Sequence, residues 1–84
     1  MPVVSRFYGI VIRMYFQQSE HNPPHIHAIY GEEVGVIAIE SSELLNGSLP
    51  PKALSMTQEW IQINKTTLLK MWNTQKFTPI PPLQ

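Results

Sequence analysis

The residues of this chain with the clearest chemistry are its histidines. All three, His21, His25 and His27, fall within seven consecutive positions of an 84-residue sequence, around a doubled proline. Because the ordinary pKa of imidazole lies near neutral pH, a histidine can bind a metal ion or transfer a proton under physiological conditions. The two prolines hold φ at about −65° and restrict the loop, so the side chains next to them are well positioned. We therefore take the segment from Glu20 to His27 as the candidate functional site.

Metal binding is one interpretation of this segment. In a strand, His25 and His27 project from the same face, about 6.6 Å apart along the chain, so both can reach one ion. His21 is the third expected ligand, with Glu20 or Glu40 as alternatives. Because the chain has no cysteine, a thiolate site is excluded. Zinc or another divalent metal that suits imidazole is then the expected cofactor.

Acid–base catalysis without a metal is the second interpretation. One histidine of the pair His25 and His27 would take a proton from a hydroxyl while the other protonates the leaving group. Arg13 would stabilise negative charge on a phosphate, and Glu20 completes the candidate catalytic set. RNA carries its own 2′-hydroxyl nucleophile, so RNA cleavage suits such a site. In a third interpretation the histidines are structural and the chain is a non-catalytic protein–protein interaction module, so whether it is an enzyme stays open.

Short strands are the elements expected to position these residues. Val3 to Arg6 and Ile10 to Phe16 are β-branched and aromatic runs, joined by a tight connection at Phe7-Tyr8-Gly9. His25 to Tyr30 and Val34 to Glu40 would form a hairpin. Because strand side chains alternate between two faces, the apolar residues of each run should meet the core. The opposite, open face is then predicted to carry Arg13, Tyr15, His25, His27 and Glu40.

A C-terminal helix is expected to cover the core face of the sheet. It should begin at Pro50-Pro51, with Ser48 or Leu49 as its cap, and continue to Asn73. Asparagine and β-branched residues are poor helix formers. Asn64, Thr66 and Thr67 are thus the weak part of this region. One long helix is nevertheless predicted, and two helices broken near Asn64 are the alternative.

These elements predict one α+β domain over residues 1–73. Its core is a small antiparallel sheet of three to four strands, with one face covered by the long C-terminal helix. Residues 74–84 contain three prolines and form a Pro-rich extended tail. Because so small a core leaves apolar burial and conformational entropy nearly balanced, a homo-oligomer or a partner chain is expected to contribute stability.

Composition excludes several classes of partner. Six Lys and Arg residues balance six Asp and Glu residues, so the chain has no excess of positive charge to follow a DNA backbone. Duplex DNA is therefore not an expected partner of the monomer. The sequence also lacks a signal-peptide pattern at its start and an apolar run long enough for a membrane span. A cytoplasmic protein without a membrane partner is the expectation.

Several motifs together resemble a known prokaryotic family. The most specific are E-H-x-P-P-H-x-H, from Glu20 to His27, and S-L-P-P-K-x-L, from Ser48 to Leu54. Over roughly residues 3–73, they are similar to the small family described as domain of unknown function 4160. The resemblance implies a bacterial or archaeal source and a toxin–antitoxin-like operon, with a short partner protein encoded by the neighbouring gene. No catalytic residue of this chain follows from the resemblance, because the family has no established activity. The shorter motifs of the same resemblance are Tyr30-Gly31-Glu32, Glu59-Trp60-Ile61 and Leu68-Leu69-Lys70-Met71-Trp72-Asn73.

Overall fold

Five antiparallel strands form one sheet within the part of the chain that the structure describes, and two helices follow them. The structure is a computed structural model and describes residues 3–14 and 23–84. Each strand pairs with the next one along the chain. The predicted α+β class is confirmed. The elements are β1 Val3–Phe7, β2 Ile10–Arg13, β3 His25–Tyr30, β4 Glu33–Ala38, β5 Leu44–Gly47, α1 Pro51–Ile63 and α2 Lys65–Thr74.

The fifth strand shows that the prediction of three to four strands was wrong. β5 pairs antiparallel with β4, with Gly35 opposite Gly47 and Val36 opposite Asn46. The sequence indicated only a brief extension here, because half of this four-residue strand is the turn-forming pair Asn-Gly. Gly47 has a φ of 76°, and a Cβ atom at this position would collide with the carbonyl of Val34. Glycine therefore lets the end of β5 approach β4 closely.

Two tight turns set the register of the first four strands. Tyr8 and Gly9 both have positive φ, 49° and 83°, which is the backbone twist that two-residue hairpins favour. In the second hairpin Tyr30 lies opposite Glu33. Gly31 and Glu32 form the turn between them. This two-residue turn sets the register of β3 against β4.

Two strands end earlier than the sequence predicted. β4 ends at Ala38 rather than Glu40, because the Ala38 carbonyl accepts the backbone N–H of Ser42 at 2.9 Å and the chain turns there. β2 ends at Arg13. The predicted continuation through Tyr15 to Phe16 lies outside the described residues.

The core lies between one face of the sheet and the two helices. Side chains of both layers belong to a single buried cluster, in which the rings of Phe7 and Trp60 have centroids 5.6 Å apart. Tyr30, which the alternation also assigns to this face, is 40% exposed at the end of β3. The central side chains of the face are fully buried, which confirms the predicted alternation there. They are Ile10, Ile12, Met14, Ile26, Ala28 and Ile37.

Two helices replace the single long helix that the sequence favoured, so that prediction was wrong. The break lies at Asn64, whose Nδ2 donates a hydrogen bond to the Trp60 carbonyl at 2.9 Å. This side-chain bond competes with continuation of the helix, which is the reason asparagine is a poor helix former. The residue before α1 is Pro50 rather than the predicted Ser48 or Leu49, and no side chain caps this end. Neither helix has the length and apolar character needed to cross a bilayer.

The Pro-rich segment after α2 has no regular secondary structure but packs on the domain. Ile80 is buried, and its backbone N–H donates to the Val4 carbonyl at 2.8 Å, beside β1. The indole N–H of Trp60 donates to the Pro81 carbonyl at 3.0 Å. These contacts tie the tail to both the sheet and α1.

Candidate functional site

Two of the candidate residues, Arg13 and His27, lie on the outer face of the sheet, which points away from the core. Arg13 on β2 lies opposite His27 on β3, and His27 lies opposite Val36 on β4. The neighbouring residues Ile12 and Ile26 are fully buried, so alternation turns Arg13, His27 and Val36 outward. The strand register thus places Arg13 and His27 next to each other on this face of the sheet.

His25 and His27 form a pair of neighbouring rings at the start of β3. Their ring centroids are 5.4 Å apart, and the planes meet edge to face at 62°. On its other side His25 contacts Trp72 of α2, with centroids 5.0 Å apart. Both imidazoles are half-buried. His25 is therefore held between a second imidazole and an indole, and its ring has little freedom to rotate away.

A backbone hydrogen bond selects the tautomer of His25. Its Nδ1 lies 2.9 Å from the Pro23 carbonyl oxygen. Because a carbonyl can only accept, Nδ1 carries the proton, and Nε2 has a lone pair available when the ring is neutral. The adjacent Pro24 carbonyl accepts the backbone N–H of Ile39 at 2.9 Å. The doubled proline is thus anchored to the chain after β4 while it orients the imidazole.

The surroundings of His27 favour its neutral form. Burial lowers the pKa of His27 below its ordinary value of 6.5, because the charged imidazolium loses hydration there. Positive charge on His25 lowers the pKa of His27 further and is the smaller cause. A neutral imidazole is the form that binds a metal ion or accepts a proton.

A cleft opens on the outer face next to the two imidazoles. Its volume is about 270 Å³, which suits an ion with bound water or a small ligand group. One wall is formed by the imidazoles and the other comes from β4 and β5. The lining residues are Pro23, His25, His27, Val36, Leu45 and Asn46.

Two predicted site residues lie outside the described part of the chain. These are Glu20 and His21, so the set of three histidines stays a prediction. Within residues 3–14 and 23–84, no three His, Asp or Glu side chains lie close enough to hold a metal ion together. Glu40 is exposed in the turn after β4 and does not complete a ligand set with His25 and His27.

Comparison with known proteins identifies the family. A family model described as domain of unknown function (DUF4160) matches residues 9–73. The chain belongs to this family. The match confirms the resemblance and runs from the first turn through β5 and nearly all of α2, while β1 and the Pro-rich tail lie outside it. No curated protein and no solved structure matches the chain.

Four residues of the candidate site were not predicted from the sequence: Val36, Leu45, Asn46 and Trp72. Val36 could have been found, because a two-residue turn after Tyr30 places it opposite His27. Asn46 depended on recognising β5 as a strand. Trp72 lies within the predicted helix, and no local signal in the sequence places it against His25.

Proposed function

We propose that this protein is a cytoplasmic partner-binding protein of the toxin–antitoxin-like kind, with a divalent-metal site on its outer face. His25 and His27 are the first two protein ligands of this site. The partner is the short protein of the neighbouring gene that the family resemblance implies, or a second copy of the chain. The close pairing of the two imidazoles is the observation that carries the metal site.

The distance between the rings fits two ligands of one ion. With Zn–N bonds of about 2.0–2.1 Å and a tetrahedral angle at the metal, two bound imidazoles have centroids about 5 Å apart. The centroids of His25 and His27 are 5.4 Å apart. The spacing of the two rings is therefore compatible with two ligands of one ion.

Two further observations support metal binding. Histidines that bind metals usually donate the other ring N–H to a carbonyl or carboxylate, which orients the ring. His25 donates Nδ1–H to Pro23 in this way. The lowered pKa of His27 keeps that ring neutral, so a metal ion competes with fewer protons. We assign the remaining protein ligands to His21 and Glu20, which lie two and three residues before the doubled proline in the sequence.

Metal content of protein purified without a histidine tag tests the proposal. We expect about one equivalent of zinc in the wild type and almost none in a His25→Ala/His27→Ala variant, because the site loses both rings. Thr67→Ala, an exposed change on α2, should retain the metal. Equal, near-zero metal in the wild type and the double variant would reject a tight site.

Acid–base cleavage of RNA is the second candidate function. It is supported by Arg13, which lies opposite His27 in the strand register and could stabilise a phosphate next to a neutral imidazole base. If this candidate is right, expression of the wild-type protein should slow cell growth. Expression of the His25→Ala/His27→Ala variant should leave growth normal. This candidate also predicts RNA cleavage that persists in a chelator. Toxicity that survives the double substitution would remove these histidines from the mechanism.

A non-catalytic interaction module is the remaining alternative. Under this alternative His25 is structural, a role that its contacts with Trp72 and Pro23 also support. The complex with the neighbouring gene product would then form equally well without either imidazole. Co-purification with the double variant separates this alternative from the two chemical candidates.

A further inference from the structure

A second cavity lies where α1 meets the turns of the first two hairpins. Its volume is about 550 Å³, which is within the range of small-molecule sites. None of its lining residues belongs to the cleft beside the two imidazoles. The segment 15–22 joins β2 and β3 at the opposite end of these strands. The residues that give the cavity its chemistry are Tyr8, Tyr30, Lys52, Met56, Glu59 and Leu83.

Two tyrosines supply aromatic surface to this cavity. Tyr8, in the turn after β1, is 61% exposed, and Tyr30, at the end of β3, is 40% exposed. A Cβ atom added to Gly9 would lie 3.3 Å from the Tyr30 ring, so this ring packs against the backbone of the first turn. Among the described residues, neither tyrosine contacts another ring or forms a side-chain hydrogen bond. Both rings can therefore stack on a flat ligand.

The α1 side of the cavity carries a positive group at one end and a negative group at the other. Lys52, Met56 and Glu59 follow one another at helical spacing, so their side chains lie along one face of α1. Lys52 and Glu59 are about 10.5 Å apart along the helix axis. Neither forms an ion pair or a hydrogen bond within residues 3–14 and 23–84. Both charged groups can therefore bind a ligand that spans two helical turns.

The two ends of the cavity ask for different groups on the ligand. Lys52 lies in the first turn of α1, which contains no acidic residue and has no side-chain cap. The partial positive charge of the helix N-terminus adds to that of the ammonium group, so this end favours an anion such as phosphate. At the other end the Glu59 carboxylate only accepts hydrogen bonds, so the ligand must offer donors there.

These requirements favour a guanine nucleotide over other small ligands. A free amino acid has its ammonium and carboxylate groups on one carbon, too close together to meet both ends of the cavity. A ligand with anionic groups along its whole length would be repelled by Glu59. Guanine offers two adjacent N–H donors on its Watson–Crick edge, which match a carboxylate, whereas adenine places an acceptor beside its donor.

We propose that this cavity binds a guanine nucleotide. The base stacks against Tyr8 and Tyr30 and donates N1–H and N2–H to Glu59, while the 5′-phosphate pairs with Lys52 at the start of α1. The same groups occur in a free nucleotide and in the 5′-terminal nucleotide of a single-stranded RNA. The proposal goes beyond the proposed function and does not depend on the metal site.

An NMR titration of the full chain with GMP, AMP and guanosine tests the proposal. We expect GMP to shift the amide signals of Tyr8, Tyr30 and the first turns of α1. GMP should bind at least about tenfold more tightly than AMP, because only guanine offers both donors to the carboxylate. It should also bind at least about tenfold more tightly than guanosine, which lacks the phosphate. The proposal fails if GMP does not bind, if AMP binds as tightly, or if the shifts map to the histidine cleft.

Two variants remove one charge each from the cavity. Glu59→Gln should abolish the preference for GMP over AMP, because the second acceptor oxygen is lost. Lys52→Gln should weaken GMP by about tenfold and leave guanosine unchanged, a difference that a general loss of structure would not produce. Lys70→Gln is the matched control, because this exposed lysine lies on α2 outside the cavity. Equal effects of the two lysine variants on GMP would overturn the assignment.

A short single-stranded RNA with a 5′-phosphorylated guanosine distinguishes the two sources of the ligand. An affinity at or above that of GMP would identify an RNA end, and a lower affinity would identify the free nucleotide. Equally tight binding of an RNA that begins with adenosine would contradict the proposal. His25→Ala/His27→Ala should lose zinc and keep GMP, whereas Lys52→Gln should keep zinc. The metal site and the nucleotide site can therefore fail separately.

Discussion

Two imidazoles that are adjacent in the strand have different surroundings at the residue scale. His25 is oriented by the Pro23 carbonyl and the Trp72 ring. Burial is the main cause of the lowered pKa of His27. A pair in which one ring is fixed and the other stays neutral suits a ligand or base role better than two equivalent, solvated histidines would.

An NMR titration of the imidazole protons tests this difference between His25 and His27. We expect the midpoint of His27 to lie below 6.5, because desolvation and the charge on His25 both disfavour its imidazolium. In His25→Gln the midpoint of His27 should rise but remain below 6.5, since burial is the larger cause. A midpoint at or above 6.5 in the wild type would contradict the structure.

The same shift has a consequence for stability. Because the unfolded chain protonates His27 at a higher pH than the folded chain does, this residue favours folding above pH 6.5. That contribution is lost as the pH falls from 6.5 towards the lower folded-state pKa. Because the side chain is partly solvated, screening by water weakens this contribution to the free energy of unfolding.

At the scale of elements, the position of β5 depends on Gly47. The φ of Gly47 is 76°, and a Cβ atom there would meet the Val34 carbonyl, so both conformation and space exclude larger residues. Because β5 supplies Leu45 and Asn46 to the cleft, loss of this strand would also remove one wall of the candidate site.

Gly47→Ala should therefore destabilise the protein by about 2 kcal/mol or more, through strain at positive φ plus the collision. Gly31→Ala is the matched control, because Gly31 also has a positive φ of 62° but a Cβ atom there meets nothing within 4 Å. Gly31→Ala should lower the free energy of unfolding only through the strain of positive φ, by about 1 kcal/mol. Urea unfolding measures both values. Equal costs would show that the collision at β5 contributes nothing.

At the scale of the whole molecule, the Pro-rich tail completes the core. The buried side chain of Ile80 joins the main apolar cluster, although it lies outside the residues that the family model matches. The bonds to Val4 and from Trp60 place the tail along the edge of β1. An unpaired strand edge invites association with other chains, and the tail covers part of this one.

Ile80→Ala should lower the free energy of unfolding by about 2 kcal/mol, since it removes apolar atoms from a packed position. Pro79→Ala, the exposed neighbour, should change stability by less than about 0.5 kcal/mol. Chemical denaturation of the two variants provides the comparison. Equal stability of both variants would mean that the tail does not contribute to the core.

Local patterns in the sequence predicted much of this fold. Alternation separated the core side of the strands from the face that carries Arg13 and His27, because side-chain direction in a strand is decided by position alone. The hairpin between β3 and β4 followed from its flanking runs. Asn64 was recognised as the weak point of the helical region, although the unbroken helix was preferred there.

The rest required tertiary structure, since it depends on contacts between residues far apart in the chain. The sequence by itself determined which side chains can share a face and that two imidazoles are neighbours. Only the packing of α2 on the sheet decided that Trp72 contacts His25, and only pairing with β4 made a strand of β5. Likewise, the buried position of Ile80 depends on a groove that exists only once β1 and α1 have come together. Local periodicity carries no information about such contacts, because they are set by how the assembled layers fit.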